Sequence, residues 1–167
     1  DDVGIVLSVL PYGEQSAVVR LLTAEHGVFP GMVKGALSKK NRASFQPGNR
    51  VHVHWQARLD EHLGQFRCEL EHSCAADMLE SRLALRAINA ITSLAATCLP
   101  ERIDEHNIYN YVSELTLNVE AANDDVVAYA SHYIRFEMAL LEALGFGLDL
   151  ASCAATGTEE PEALVYV

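Results

Sequence analysis

The spacing of the apolar residues changes near residue 75, and this change limits the chain to a small set of folds. Before that point apolar and polar side chains alternate. In the clearest example Val51, Val53 and Trp55 point one way, while His52 and His54 point the other. A period of two predicts half-buried strands, whereas the later residues recur at helical spacing. The chain is therefore predicted to be a mixed α+β protein, with its strands first and its helices second.

The alternating region divides into five short strands separated by turn residues. They are predicted over residues 3–10, 16–23, 28–33, 51–59 and 65–71. The last of them should point Phe66, Cys68 and Leu70 inward. Five strands in about seventy residues suit a small closed barrel of the OB type. Such a barrel usually has a helix between its third and fourth strands, but residues 34–46 are too few for much of one.

The region with helical spacing predicts three helices. The first covers 76–98, where Leu99-Pro100 stops it, and the second covers roughly 105–121. The third begins near Asp124 and ends at Gly145. The apolar residues expected on these helices are Leu79, Leu83, Ile88, Ile91, Leu94 and Ala95, then Ile108, Tyr109, Val112, Leu115 and Val119, then Tyr133, Ile134, Met138, Leu141 and Leu144.

A short basic stretch interrupts an otherwise acidic chain. Four of the twelve Lys and Arg residues fall within residues 33–42, whereas the whole chain carries a formal charge of −11. Gly, Ser and Asn in this stretch favour a flexible loop. Residues 1–67 hold eight basic and six acidic residues, a net +2, and residues 68–167 hold four basic and seventeen acidic residues, a net −13. The strand region therefore suits a polyanion, which the helical region should repel.

These charges suggest a surface that binds DNA through its phosphates. The candidate contacts are Lys34, Lys39, Lys40 and Arg42, helped by Arg20, Arg50, Arg58 and the two histidines His52 and His54. Tyr12 and Phe29 are weaker candidates for stacking on bases, and Trp55 is expected to lie in the core. The alternative interpretation of the basic stretch is a solvated connector that keeps the protein soluble.

A cluster of histidines and carboxylates offers a function of another class. His52, His54 and His62, with Asp60 and Glu61 between them, would give the alternative of a metal-dependent hydrolase. However, the first two histidines lie on the outward face of a strand, and the carboxylates fall in a predicted turn. The sequence contains no glycine-rich phosphate loop and no nucleophile elbow. We therefore expect no catalytic residue, no cofactor and no bound metal.

Four cysteines, Cys68, Cys74, Cys98 and Cys153, bear on the compartment. Their spacings of 6, 24 and 55 residues match neither a zinc pattern nor a disulfide framework. Reduced and mostly buried thiols in a cytosolic protein are expected. No apolar run reaches the length that spans a membrane. The last five residues resemble a strand cut short, so we expect that C-terminal sequence is missing.

A set of motifs in a fixed order resembles the RecO family of bacterial recombination mediators and DNA-repair proteins. The motifs are D-V-G-I-V-L at 2–7, Y-G-E at 12–14, L-T-A-E-H-G at 22–27, V-K-G at 33–35, L-E-A-L-G-F-G-L at 141–148 and C-A-A-T-G at 153–157. W-Q-A-R-L at 55–59 and G-L-D-L at 147–150 are similar to the α-proteobacterial members. The resemblance runs essentially from end to end.

The resemblance implies a domain organisation and a function. It implies an OB-fold domain at residues 1–75, a helical domain at 76–150, and the start of a zinc-ribbon-like piece at 151–167. It implies binding of single- and double-stranded DNA and annealing of complementary strands, without enzymatic activity. With RecR, such a protein helps load RecA onto DNA coated by single-stranded-DNA-binding protein. We therefore expect it in the cytoplasm, associated with the nucleoid.

The resemblance also concerns Arg135 and Cys153. Residues 133–141 match the family's R-x-F-E-x-A-L-L pattern up to the spacing of its first Arg, which makes Arg135 a candidate for binding the acidic tail of single-stranded-DNA-binding protein. An ion pair with Glu142 is the alternative. Many relatives carry two Cys-x-x-Cys pairs, whereas here Thr156 follows Cys153 and the other pair is absent. We therefore expect no structural zinc.

Overall fold

The structure, a computed structural model, describes residues 1–57, 63–79, 81–117, 125–152 and 157–159. Five strands form a closed barrel in the order β1-β2-β3-β5-β4. They are β1 (Asp2–Tyr12), β2 (Ser16–Thr23), β3 (Gly27–Val33), β4 (Arg50–Gln56) and β5 (Gln65–His72). Neighbouring strands are antiparallel, except that β3 and β5 meet at one parallel pair. The predicted OB-type barrel followed by helices is confirmed.

The barrel has an apolar interior because alternate residues of its strands point inward. Leu21 on β2 and Val51 and Val53 on β4 are buried there, whereas His52 and His54 on β4 are exposed, as predicted. β5 departs from prediction at its far end, where Leu70 is 46% exposed instead of buried. The reason is that β5 pairs with β3 only through Gln65, so the rest of its length lacks a second neighbour on that side.

A β-bulge in β1 links the barrel to the helices. The pairing register between β1 and β2 shifts around Leu7, which is an extra residue in β1. Val6 lies in the barrel interior, whereas Ile5 and Leu7 are buried outside it, in the core of the helices. Leu22 of β2 and Val28 of β3 belong to the same outer core. We call these four outer residues the covered half of the β1–β2–β3 face.

In the part of the chain that the structure describes, four helices follow the barrel: α1 (Cys74–Asp77), α2 (Arg82–Cys98), α3 (His106–Leu117) and α4 (Val126–Ala143). The prediction of a single helix over 76–98 is wrong, because the chain turns after α1. Ser81 then caps α2, and its Oγ accepts a hydrogen bond from the Ala84 N–H at 2.9 Å. Leu79 falls in the turn and is 84% exposed. None of the described helices combines the length and apolarity needed to cross a membrane.

The helices pack around one apolar core that includes the covered half of the barrel. α2, α3 and α4 supply Ile88, Ile91, Ala95, Ile108, Val112, Leu115, Tyr129, Phe136 and Leu140. The predicted stripe on α4 is partly wrong, since Ile134, Met138 and Leu141 are exposed. Tyr129, Phe136 and Leu140 take the inward face instead, because their spacings of seven and four keep them on one side of the helix.

Candidate nucleic-acid interface

The basic segment, defined here as residues 34–42, is a series of hydrogen-bonded turns. The Leu37 N–H donates to the Gln15 carbonyl at 2.9 Å, which holds the segment against the β1–β2 turn. The Asn41 side chain donates to the Gly35 carbonyl at 3.1 Å, and the Arg42 N–H donates to the backbone four residues earlier at 3.0 Å. The prediction of a flexible loop is therefore corrected, because these bonds fix its backbone locally.

The link between β3 and β4 also contributes to the barrel core. Ala36 and Phe45 are buried in the barrel interior. The Asn49 side chain, itself buried, donates to the carbonyls of Ala43 and Ser44 at 2.9 and 3.2 Å. This link therefore covers one end of the barrel in place of the helix that is usual there.

The cationic side chains of the basic segment all point to solvent. Lys34, Lys39, Lys40 and Arg42 are exposed. Within the described ranges, no carboxylate lies within ion-pair distance of any of the four. Ala36 points into the barrel, whereas the four cations point outward. The hydrogen-bonded backbone of the basic segment therefore supports a positive surface.

An exposed apolar strip lies next to these cations on the outer side of the sheet. Leu10 and Tyr12 of β1 are 57% and 60% exposed. Leu10 pairs across the sheet with Val18, and Val18 pairs with Met32. Both of these neighbours are partly exposed. Lys34 follows β3 directly. We call Leu10, Tyr12, Val18 and Met32 the open half of the β1–β2–β3 face.

Two other predicted DNA contacts are engaged elsewhere. Arg20 forms an ion pair with Glu101 at 3.2 Å. The Arg50 guanidinium donates to the Ser113 hydroxyl at 2.6 Å and lies 3.6 Å from the Glu71 carboxylate. Since Ser113 and Glu101 follow the barrel in the chain, both arginines join the barrel to the helical region. They do not extend the basic segment, and Arg58 lies outside the described residues.

Among the described residues, the two β4 histidines of the alternative metal site have no third metal-ligating group close to them. His52 is exposed on β4, and His54 Nδ1 lies 2.6 Å from an Asp1 carboxylate oxygen. The third histidine, at position 62, lies outside the described residues. Among the residues the structure describes, the only set of three close metal-ligating groups is Asp2, Glu25 and His26, which contains neither histidine of β4.

A second candidate site surrounds Arg135 on the helices. Arg135 opens onto a groove of about 490 Å³ between α3, α4 and the segment after α4, where Tyr111, Met138 and Leu148 contribute apolar surface. Glu142 lines the same groove, yet among the described residues no ion pair joins it to Arg135. The guanidinium therefore faces a groove with room for a peptide.

The described cysteines are free thiols, and two of them, Cys68 and Cys74, have little reactivity. Burial raises the pKa of Cys68 to about 12, and burial together with the Asp77 carboxylate raises the pKa of Cys74 to about 12. A nucleophilic cysteine needs its thiolate near neutral pH, and these two remain protonated there. Cys153 and Thr156, the positions of the expected departure from zinc binding, lie outside the described residues.

Comparison with known proteins identifies the family. The sequence model described as Recombination protein O N terminal matches residues 1–73, and the one described as Recombination protein O C terminal matches residues 79–167. The chain belongs to the RecO family. Because the two matches cover the barrel and the helices in succession, the family assignment extends over almost the whole chain.

Individual relatives agree with this assignment. The chain is 46% identical over 166 residues to the DNA repair protein RecO of Rhodopseudomonas palustris strain TIE-1, and 45% identical over 169 residues to that of Bradyrhizobium sp. strain ORS 278. It is 41% identical over 157 residues to that of Rhodospirillum rubrum. These alignments cover 99%, 99% and 93% of the chain and 64%, 64% and 62% of the relatives. The expected α-proteobacterial likeness is confirmed.

Some residues of this RecO-family barrel were not recognised from the sequence. Ala36 and Phe45 give no signal, because buried residues in a turn-rich segment follow no period. The partner of Arg50, Ser113, is 63 positions away in the chain. Leu10 and Tyr12 are different, because the apolar residues of β1 continue past the bulge. The apolar run at 9–12 is a signal from which an exposed strip could have been predicted.

Proposed function

We propose that the barrel of this RecO-family chain is a DNA-binding domain of a recombination mediator that acts in DNA repair. The observation that carries the proposal is the set of four exposed cations, which have no carboxylate partner among the described residues, beside an exposed apolar strip that includes Tyr12. In this proposal residues 1–75 bind DNA, residues 76–150 make protein contacts, and residues 151–167 begin a further ribbon-like piece. This mediator function is non-enzymatic, and the protein performs it in the cytoplasm, at the nucleoid.

The chemistry of the surface suits nucleic acid of any sequence. Lys34, Lys39, Lys40 and Arg42 contact successive phosphates, which releases counterions. Tyr12 offers a ring on which a base of single-stranded DNA stacks. In OB-folds the outer face of the second and third strands is a common site for oligonucleotides, and the open half lies on that side. Because phosphate contacts read no base edges, both single- and double-stranded DNA bind, and neutralised complementary strands anneal.

The acidic helical region restricts DNA to the barrel. Residues 68–167 carry seventeen acidic and four basic residues, a net charge of −13. This charge repels phosphate groups from the helices over about one Debye length, roughly 10 Å in 0.1 M salt. Bound DNA therefore lies on the basic segment and the open half of the sheet, which leaves the helices available for protein partners such as RecR.

The triple substitution Lys39→Ala/Lys40→Ala/Arg42→Ala tests the proposal. On single strands the slope of log affinity against log salt changes by roughly 0.7 per phosphate contact, so losing three contacts flattens it by about two units. We expect weaker binding to unrelated sequences by similar factors and an unchanged melting temperature, since all three side chains are exposed. Fluorescence anisotropy with labelled oligonucleotides at several salt concentrations measures both affinity and slope.

Arg82→Ala/Arg86→Ala is the matched control, because it removes exposed positive charges from α2. It should leave the salt slope unchanged. If the triple variant melts normally and binds DNA with the affinity and slope of the unmodified protein, the basic segment is only a solvated connector. If the control lost as much DNA affinity as the triple variant, net charge alone would govern binding.

The groove at Arg135 is proposed to bind the acidic C-terminal tail of single-stranded-DNA-binding protein. A guanidinium pairs with a carboxylate through charge-assisted hydrogen bonds, and Tyr111, Met138 and Leu148 offer apolar surface to an aromatic end group. Glu142 and Asp149 also line the groove, so Arg135 is the cation that offsets their charge. Binding there would bring the barrel to coated DNA on which RecA is then loaded.

Peptide binding by Arg135→Ala tests this second site. A hydrogen bond to a charged group contributes about 1.5–3 kcal/mol, so affinity for an acidic tail peptide should fall at least tenfold. Arg102→Ala, which removes an arginine outside this groove, should bind the peptide normally. Unchanged affinity in Arg135→Ala, measured by anisotropy of a labelled peptide, would exclude the groove from tail binding.

A further inference from the structure

The two ends of the barrel differ in how they are closed. At the end where β3 finishes, Ala36 and Phe45 fill the interior. The opposite end, where β1 and β3 begin, holds a cavity of about 270 Å³. Buried Val53 and Phe66 form its floor. Barrel mouths are among the common positions of ligand sites, so this open mouth is a candidate site separate from the basic segment.

The walls of the mouth are aromatic and carry a cation. Phe29 and Trp55 meet edge to face, with ring centroids 5.3 Å apart and an interplanar angle of 83°. The centroids of Phe29 and Phe66 are 6.1 Å apart. The Arg102 guanidinium carbon lies 4.9 Å from the Phe29 centroid and 6.0 Å from the Trp55 centroid. A flat guanidinium beside two rings forms a surface suited to stacking another flat group.

The backbone holds Arg102 at the mouth in an uncommon conformation. Its φ of 61° is the one positive value among the described non-glycine residues. Its N–H donates to the Val28 carbonyl at 2.9 Å. At Gly27 a Cβ atom would come within 1.8 Å of the Ile103 carbonyl oxygen, so only glycine allows this approach. Left-handed conformations at non-glycine residues cluster at functional sites, and this one directs a side chain to the cavity.

The rim also supplies polar groups. Asp1 and Asp2 line the mouth with His26, whose Nδ1 lies 3.1 Å from Asp2 Oδ2. Carboxylates accept hydrogen bonds from the exocyclic amino groups of bases, and a guanidinium held against aromatic rings can stack on the face of a base. An aliphatic ligand would use neither group, and a cationic ligand would face Arg102.

We propose that this mouth binds a single unpaired nucleobase of single-stranded DNA, stacked against Phe29, Trp55 and Arg102. The proposal rests on the DNA-binding function proposed above and adds a base-stacking site at the other end of the barrel. Phe29 lies on β3, and Lys34 directly follows this strand five positions later. Along an extended chain the two residues are roughly 17 Å apart. A strand of several nucleotides held by the basic segment therefore reaches the mouth with one of its bases.

Trp55 is the only tryptophan in the chain, so its fluorescence reports on the mouth directly. The experiment titrates the protein with a labelled single-stranded oligonucleotide and with one of equal length whose nucleotides are abasic. Anisotropy of the label measures binding, and tryptophan emission measures occupancy of the mouth. We expect quenching by the normal oligonucleotide with the same midpoint as its anisotropy. The abasic one should bind more than tenfold more weakly, because it loses the base stacked in the mouth and also the base proposed to stack on Tyr12, and it should not quench the tryptophan emission.

Two variants separate stacking from charge. Arg102→Gly suits the left-handed backbone and removes the guanidinium, so it should weaken quenching and affinity for the normal oligonucleotide while the abasic one binds as before. Arg86→Ala, which removes an exposed positive charge on α2, should change neither. Thermal melting checks that both variants are folded.

The outcomes distinguish this inference from the function on which it rests. If the oligonucleotides bind with equal affinity and tryptophan emission stays constant, the mouth holds no base, although DNA binding stands. Quenching by the abasic oligonucleotide, or unchanged quenching in Arg102→Gly, would also overturn the inference, because emission would then follow a change elsewhere in the protein. Absence of any anisotropy change would overturn the DNA-binding function itself.

Discussion

The two halves of the β1–β2–β3 outer face are built from the same strands but have different surroundings. In the covered half, Ile5, Leu7 and Leu22 are buried under the helices. In the open half, Leu10 and Tyr12 are more than half exposed. Both halves are apolar, so apolarity alone does not distinguish a packing surface from a binding surface. Position along the strand distinguishes the two surfaces, and the bulge at Leu7 marks the boundary between them.

Charge follows the same division. The covered half is adjacent to the acidic helical region. Near it, Arg20 pairs with Glu101, and Arg50 pairs with Glu71 of β5 and bonds to Ser113 of α3. The open half is adjacent to the basic segment, whose cations have no carboxylate partner within the described residues. Arginines of the covered half stabilise contact between barrel and helices, whereas cations of the open half remain available to a ligand.

Truncating one apolar residue in each half should give the largest difference. Leu22→Ala leaves a cavity in a closed core, so we expect it to lower the free energy of unfolding by about 2–5 kcal/mol. Leu10→Ala removes an exposed side chain and should lower it by less than about 0.5 kcal/mol. Urea unfolding followed by circular dichroism measures both.

If the two variants lost a similar amount of unfolding free energy, Leu10 would be packed rather than open, and the two halves would not differ as described. DNA binding gives a second test. DNA affinity measured on folded Leu22→Ala protein should match that of the unmodified chain, because the covered half makes no contact with DNA. A loss of affinity that tracks the loss of stability would mean that the two halves are coupled.

A smaller effect is expected at Tyr12. Tyr12→Ala should weaken binding of single-stranded DNA about tenfold, because stacking on an aromatic side chain contributes about 1–3 kcal/mol per base. Tyr12→Phe keeps the ring and should bind almost normally. The salt slope should not change in either variant, since the ring neutralises no phosphate. Equal affinities in the alanine and phenylalanine variants would place the stacking elsewhere.

Much of the fold could be predicted from the period of the apolar residues. Alternation located all five strands, and helical spacing located α3 and α4 to within a few residues but merged α1 and α2 into one helix. The failures occurred where tertiary contacts decide the outcome. Leu70 lies on a strand that lacks a neighbour, and Leu79 falls in a turn because Ser81 starts a new helix. The local sequence pattern predicts neither the missing neighbour of β5 nor the new helix start at Ser81.

The candidate site was predictable only in part. The four cations of the basic segment stand out by charge alone, and their exposure agrees with the prediction. Charge could not show that Arg50 is held by Ser113, because that partner lies on a distant helix. It also could not show that the segment between the cations and β4 is anchored by Phe45, since the burial of one ring in a turn leaves no periodic trace.

Amide hydrogen exchange with and without single-stranded DNA tests the central claim most directly, because it maps the contact without substitutions. We expect slower exchange in peptides that cover residues 8–18 and 30–42, with little change in α2 and α3. The effect should diminish at high salt as phosphate contacts are lost. Slower exchange confined to the helices, with none at the basic segment, would contradict the assignment of DNA binding to the open half of the barrel.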